Sequence, residues 1–149
     1  MDIKFMNTAL AEAKKAFELG ETPIGAVIVK DGKIISRAHN RRETKKNALM
    51  HAEISAIDKA CKKLGGWRLC GCDIYVTLEP CPMCAGAIIQ SRIDNVFFGA
   101  YDKKAGAFGS VCDLSELLAH KVCAKGGILE QESSDLIKLF FEKLRKKEI

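Results

Sequence analysis

Two short stretches constrain this 149-residue chain more than any others: His51-Ala52-Glu53 and, 26 residues further on, Pro80-Cys81-Pro82-Met83-Cys84. The first supplies an imidazole and, two residues on, a carboxylate. The second supplies two thiols three positions apart. Residues three apart on a helix share a face, so Cys81 and Cys84 can reach one ion. Pro82 suits an early helical position, where its missing N–H costs nothing. His51 opens an apolar-periodic run from Ala52 to Leu64 and should also sit near a helix start. One His and two Cys are three ligands of the kind zinc prefers. They leave a fourth tetrahedral position for water, as catalytic rather than structural zinc sites do. Glu53, a carboxylate that does not bind the metal, can then carry protons to and from that water. Two helix N-termini aimed at one point would favour thiolate over thiol. The fold must bring those two helix starts together.

The rest of the pattern predicts how. Asp2 to Leu19 places Phe5, Met6, Ala9, Leu10, Ala13, Ala16 and Phe17 at helical intervals, and Gly20 follows as a stop. Ile24 to Lys30 is apolar and β-branched, Asp31-Gly32 is a turn signal, and Lys33 to His39 resumes as a strand, which together predict an antiparallel hairpin. Residues 40–50 form a polar loop carrying Arg41, Arg42, Lys45 and Lys46. A helix over about 51–64 ends at Gly65-Gly66. Asp73 to Leu78 is a third strand feeding the cysteine helix, about 82–91, and Asn95 to Ala100 is a fourth. After a loop from Tyr101 to Ser110 the pattern predicts a short helical stretch near Asp113 to Ala119, a fifth strand over Gly127 to Gln131, and a closing helix over Ser133 to Lys147. Strands alternating with helices after a hairpin predict an α/β sandwich with a mixed sheet.

The chain shows no linker or repeat, so residues 1–149 read as a single domain. No apolar run reaches the length of a membrane span and no signal-peptide core is visible, which points to the cytoplasm and away from a membrane. Of seven cysteines two are claimed for metal. Cys61, Cys70, Cys72, Cys112 and Cys123 then read as reduced thiols. A net charge of +5 is compatible with nucleic acid but decides little.

The two stretches, at this separation, resemble the signature of the cytidine/deoxycytidylate deaminase superfamily. Pro23-Ile24-Gly25-Ala26-Val27-Ile28-Val29, Trp67-Arg68-Leu69, Tyr75 to Cys81, Ser91-Arg92-Ile93, Gly99-Ala100-Tyr101-Asp102, Gly106 and Gly109-Ser110 resemble its tRNA-specific adenosine deaminase branch. That resemblance implies a three-layer α/β/α sandwich with a five-stranded mixed sheet and one Zn²⁺ per subunit of a homodimer. It implies a hydrolase that converts adenosine to inosine at the wobble position of a tRNA anticodon stem-loop, an arginine tRNA by family habit. His51, Cys81 and Cys84 match the metal ligands. Zinc-activated hydroxide would attack C6, while Glu53 takes the water's proton, delivers it to N1 and later helps the amino group leave as ammonia. Asn40 matches a residue whose amide binds the target base, Asp102 one that contacts a ribose hydroxyl, and Pro23 and Ile24 would line the pocket mouth. Basic residues from Arg41 to Lys46, Lys103 with Lys104, and Lys143 with Arg145, Lys146 and Lys147 are candidates for phosphate contact. Of Phe140 and Phe141, one is expected in the core and the other at a base.

The branch usually places a Pro within the residues before its histidine, where this chain has Asn47-Ala48-Leu49-Met50. Two other arrangements stay open on the sequence. One is a guanine, cytosine or nucleoside deaminase of the same fold. The other is a non-enzymatic zinc module in which Cys70 and Cys72 join Cys81 and Cys84 in a closed four-thiolate site.

Overall fold

The computed structural model describes residues 1–149. The elements run α1 (Ile3–Glu18), β1 (Gly25–Lys30), β2 (Lys33–His39), α2 (Ala52–Leu64), β3 (Cys72–Leu78), α3 (Pro82–Gln90), β4 (Asn95–Ala100), β5 (Cys123–Lys125) and α4 (Glu130–Arg145). The five strands form one sheet in the order β2-β1-β3-β4-β5. The first two pairings are antiparallel and the last two parallel, so the sheet is mixed as expected.

Asp31 and Gly32 both take positive φ, 51° and 73°, as a two-residue hairpin turn demands. Side chains then alternate across the sheet with period two. Ala26 and Ile28 of β1 and Ile74 and Val76 of β3 face a larger core with Ala52, Ala56 and Ala60 of α2 and Ile88 and Ile89 of α3. Val27, Val29 and Tyr75 face the opposite side, against Phe5, Met6 and Ala9 of α1. Helices therefore cover both faces, which makes three layers. Ile74, Ile88, Ile89 and Ile93 are completely buried, each contributing about 1.5–3 kcal/mol by leaving water. At Gly25 a Cβ would strike the Ala9 carbonyl of α1, so only glycine lets helix and strand approach this closely.

Three expectations for the last third of the chain need correction. Asp113 to Ala119 is not a helix: Asp113 bridges to Phe108, and a turn and bends follow. The fifth strand is Cys123–Lys125 rather than Gly127 to Gln131, and the closing helix starts at Glu130 rather than Ser133. A Cβ at Gly126 would strike the Phe98 ring, and Gly127 sits at φ 85°. The glycine pair thus breaks the strand where the apolar Gly127-Ile128-Leu129 run imitates one. Leu129, at φ 54°, swings the chain into α4. No helix is long and apolar enough to cross a membrane.

Candidate active site

Two of the loops that leave the sheet deliver the reactive groups. His51 is the N-cap residue of α2 and Cys81 that of α3. Neither side chain caps its own helix, so both are free to point elsewhere and the first N–H groups of both helices stay electropositive. His51 Nδ1 lies 3.7 Å from Cys81 Sγ and 3.5 Å from Cys84 Sγ. The three potential ligand atoms all fall within 4.8 Å of one another. Tetrahedral zinc, with bonds of about 2.3 Å to sulfur and about 2.0 Å to nitrogen, sets sulfur and nitrogen about 3.5 Å apart. The donor set fits that ion in type and in spacing.

Electrostatics favour a cation at the same point. The Cys84 thiol, hydrogen-bonded to Cys81, and the His51 imidazole outweigh burial and bring Cys81 down to about 4. Cys84 is driven upward by its bond to Cys81, by burial and by Glu53. Cys81 is thus disposed toward the thiolate that binds metal, and a divalent ion would draw the proton from Cys84. His51 is raised, chiefly by its bond to Cys81. Glu53, in the first turn of α2 and only 4 % exposed, is pushed up to about 7 by burial, against the opposing pull of its backbone and of His51. A carboxyl there can both take and give a proton near neutrality.

His51 and Ala52 form part of the wall of a cavity of about 510 Å³, in the size range of small-molecule sites. Leu78 and Ala100, the last residues of two parallel strands, form another part, with Ile24 and Asn40 from the hairpin side. Pro23 is buried but is not part of the lining, although Thr22 and Ile24 on either side of it are; Ile24 N–H donates to the Thr22 carbonyl across it, a tight turn centred on the proline. Asn40 is buried; its Nδ2 donates to the Thr22 carbonyl and its Oδ1 accepts from Arg42 N–H. Asp102 lines the rim, with Oδ1 accepting from the N–H groups of Lys104 and Ala105. Cations ring the mouth: Arg42, Lys103, Lys104 and Lys138.

Phe140 is 3 % exposed and meets Phe17 edge-on, whereas Phe141 is 41 % exposed and lines the cavity. Ser134, Ile137 and Lys138 line it too, and these sequence reasoning missed. The signal was present, since 134, 137, 138 and 141 repeat at helical spacing. Of the basic C-terminal group none lines the cavity, and Lys143 and Lys146 turn instead to Glu148 and Glu142. Leu49 is exposed and Met50 Sδ lies 3.9 Å from Ser55 Oγ, with neither in the wall. The four-thiolate alternative fails on geometry. Cys72 is buried in the main core, Cys70 is exposed, and neither joins the ligand group.

Residues 2–145 match the family model described as MafB19-like deaminase. The tRNA-specific adenosine deaminase of Bacillus subtilis is 52% identical over 148 residues, 98% of this chain and 92% of the relative. A solved structure from work on A-to-I editing by tRNA:A34 deaminases at the wobble position of transfer RNA superposes with a TM-score of 0.85 at 42% identity, covering 91% of this chain and 99% of the other. A guanine deaminase structure, also from Bacillus subtilis, is 44% identical but reaches a TM-score of 0.64 over 66% of this chain and 63% of its own. The chain belongs to the family of the tRNA-specific adenosine deaminases.

Proposed function

We infer that residues 1–149 act as one deaminase domain, a hydrolase that converts adenosine to inosine at the wobble position of a tRNA anticodon, releasing ammonia. One observation carries the reading beyond the family. The His51, Cys81, Cys84 cluster, with buried Glu53 beside it, meets through His51 a cavity that Arg42, Lys103, Lys104 and Lys138 also line. A free base has no phosphates for such cations to bind; an anticodon loop has several.

His51 through Nδ1, with Cys81 and Cys84 as thiolates, would hold the zinc. When bound, zinc supplies Lewis acidity that lowers the pKa of ligated water from near 16 to about 7. Glu53, whose raised pKa suits proton transfer, would take one proton of the attacking water and deliver it to ring N1, then carry the remaining hydroxyl proton to the departing amino group, which leaves as ammonia. Ile24, Leu78 and Ala100 exclude solvent from the flipped base. Asn40, held by Thr22 and Arg42, keeps its second amide hydrogen for that base. Asp102 keeps Oδ2 for a ribose hydroxyl, a contact by which RNA is told from DNA. The homodimer and the cytoplasmic setting follow from the same resemblance. The alternative, a guanine, cytosine or nucleoside deaminase, is not favoured, because the likeness to the tRNA enzyme holds at 52% identity over 98% of the chain, whereas a guanine deaminase structure that covers 94% of the chain does so at 21% identity and shares the fold alone.

The test is deamination of an anticodon stem-loop with adenosine at the wobble position, in the presence of free guanine and cytidine, with products identified by mass. Inosine in the RNA with both small molecules untouched is the expected result. Conversion of guanine or cytidine alone would overturn the substrate assignment and leave the metal chemistry standing.

A further inference from the structure

We propose that Glu79 is a positioning residue for the RNA rim: a buried carboxylate that holds the Tyr101–Ser110 loop in the shape that aims Asp102, Lys103 and Lys104 at the substrate. Glu79 follows the last residue of β3 and is 2 % exposed. Its Oε1 accepts from Asp102 N–H at 3.1 Å and from the Ser110 hydroxyl. Its Oε2 accepts from Phe108 N–H at 3.0 Å and Ser110 N–H at 3.2 Å. One carboxylate thus gathers donors from both ends of the loop. Gly106 is pressed onto it so closely that a Cβ would strike the carboxylate itself.

The hold passes onward to the rim. Asp102, fixed through its N–H by Glu79, uses Oδ1 to accept from Lys104 and Ala105 N–H and its carbonyl to accept from Gly106 N–H. Asp102, Lys103 and Lys104 line the cavity, but Glu79 does not. Its influence on substrate is therefore indirect. Nor is it a surface acid that any polar group could replace. Each oxygen faces at least one backbone N–H, so the amide of a glutamine would set its NH₂ against a donor whichever way it turned, and a buried N–H would lose its partner.

This inference rests on the RNA reading above, and the experiment separates the two. Zinc-loaded wild type, Glu79→Gln and Ser110→Ala are compared in steady-state deamination of the wobble-adenosine stem-loop, with zinc per chain measured on each. For Glu79→Gln the expected result is a KM about tenfold higher, as loss of a charge-assisted hydrogen bond implies. Its kcat should stay within about threefold, with zinc still at one per chain. Ser110→Ala, which leaves three of the four donors, should raise KM about threefold. It also decides the matter if Glu79→Gln does not fold. An unchanged KM in the folded variants overturns the proposal, as does a loss of zinc or a fall in kcat alone, which would mean that Glu79 acts through neighbouring Cys81. A wild type inert on the stem-loop overturns the functional reading itself, and this proposal with it.

Discussion

Arg42, Lys103, Lys104 and Lys138 surround the cavity mouth, and none of the six ion pairs of the fold engages them. Such free cations bind RNA largely by releasing condensed counterions, which fixes the size of their effect. Each phosphate neutralised on a single strand contributes about −0.7 to the slope of log affinity against log salt. A Lys103→Gln/Lys104→Gln variant should therefore bind the stem-loop with a slope shallower by about 1.4. The same relation makes the loss of affinity about 25-fold at 0.1 M salt and only about threefold at 0.5 M. Filter binding or fluorescence anisotropy across that range reads both quantities. The control is Lys62→Gln/Lys63→Gln, which removes two exposed cations from the last turn of α2, away from the cavity lining. Its slope should match the wild type. Equal slopes for rim and control variants, or a loss at Lys103 and Lys104 that does not shrink with salt, would refute the claim that the rim meets phosphates.

Three further outcomes follow from the geometry. Glu53→Gln should retain zinc and RNA affinity while slowing single-turnover deamination at least about 100-fold, the lower bound for a lost proton shuttle; near-normal turnover would remove Glu53 from the mechanism. Dialysis against a chelator should abolish deamination and lower the melting temperature, since three ligands that bind only in the folded chain link metal to stability, and added zinc should restore both. Glu21 is buried, yet its carboxyl is held below 4.5: burial would raise it, but Thr44 and Glu43 N–H and the Arg42 charge outweigh that. A depressed carboxyl stabilises the fold fully above the unfolded value, and the effect fades as pH falls below it. Glu21→Gln should thus melt lower than wild type at pH 7, with the gap closing in urea titrations below pH 4.5.

The sequence showed most of the fold wherever periodicity and punctuation agreed. Asp31-Gly32 and the flanking β-branched runs announced the β1–β2 hairpin, and the boundaries of β2 and β4 fall where the pattern put them. It failed after residue 110, where the controlling facts are tertiary. The apolar run Gly127-Ile128-Leu129 looks like a strand until the Phe98 ring, brought up by β4, claims the space beside Gly126. The ligand cluster was legible because zinc demands particular side chains at a helical spacing. Glu79 was not, because a lone glutamate before a proline carries no periodicity. Its donors lie more than 20 residues away in a loop whose course the sequence does not reveal.

The division of labour between layers explains why the site can be both rigid and selective. His51, Cys81 and Cys84 come from the starts of α2 and α3, two helices that pack on the same face of the sheet. Their relative position is set by the fully buried core beneath them. Ser134, Ile137, Lys138 and Phe141 come from α4, and Asp102 and Lys104 from the loop after β4. The cavity lies where these sets meet, at the carboxyl ends of the parallel strands β3 and β4, the end of an α/β sheet at which ligands collect. Chemistry and substrate choice thus rest on different elements. A change in α4 or in the Tyr101–Ser110 loop can redraw what enters without moving a ligand atom, whereas a change in the core under α2 and α3 reaches the His51, Cys81 and Cys84 cluster first. Substitutions at Lys138 or Phe141 should accordingly alter KM and RNA preference, and those at Ala56 or Ile88 should alter zinc affinity and stability together.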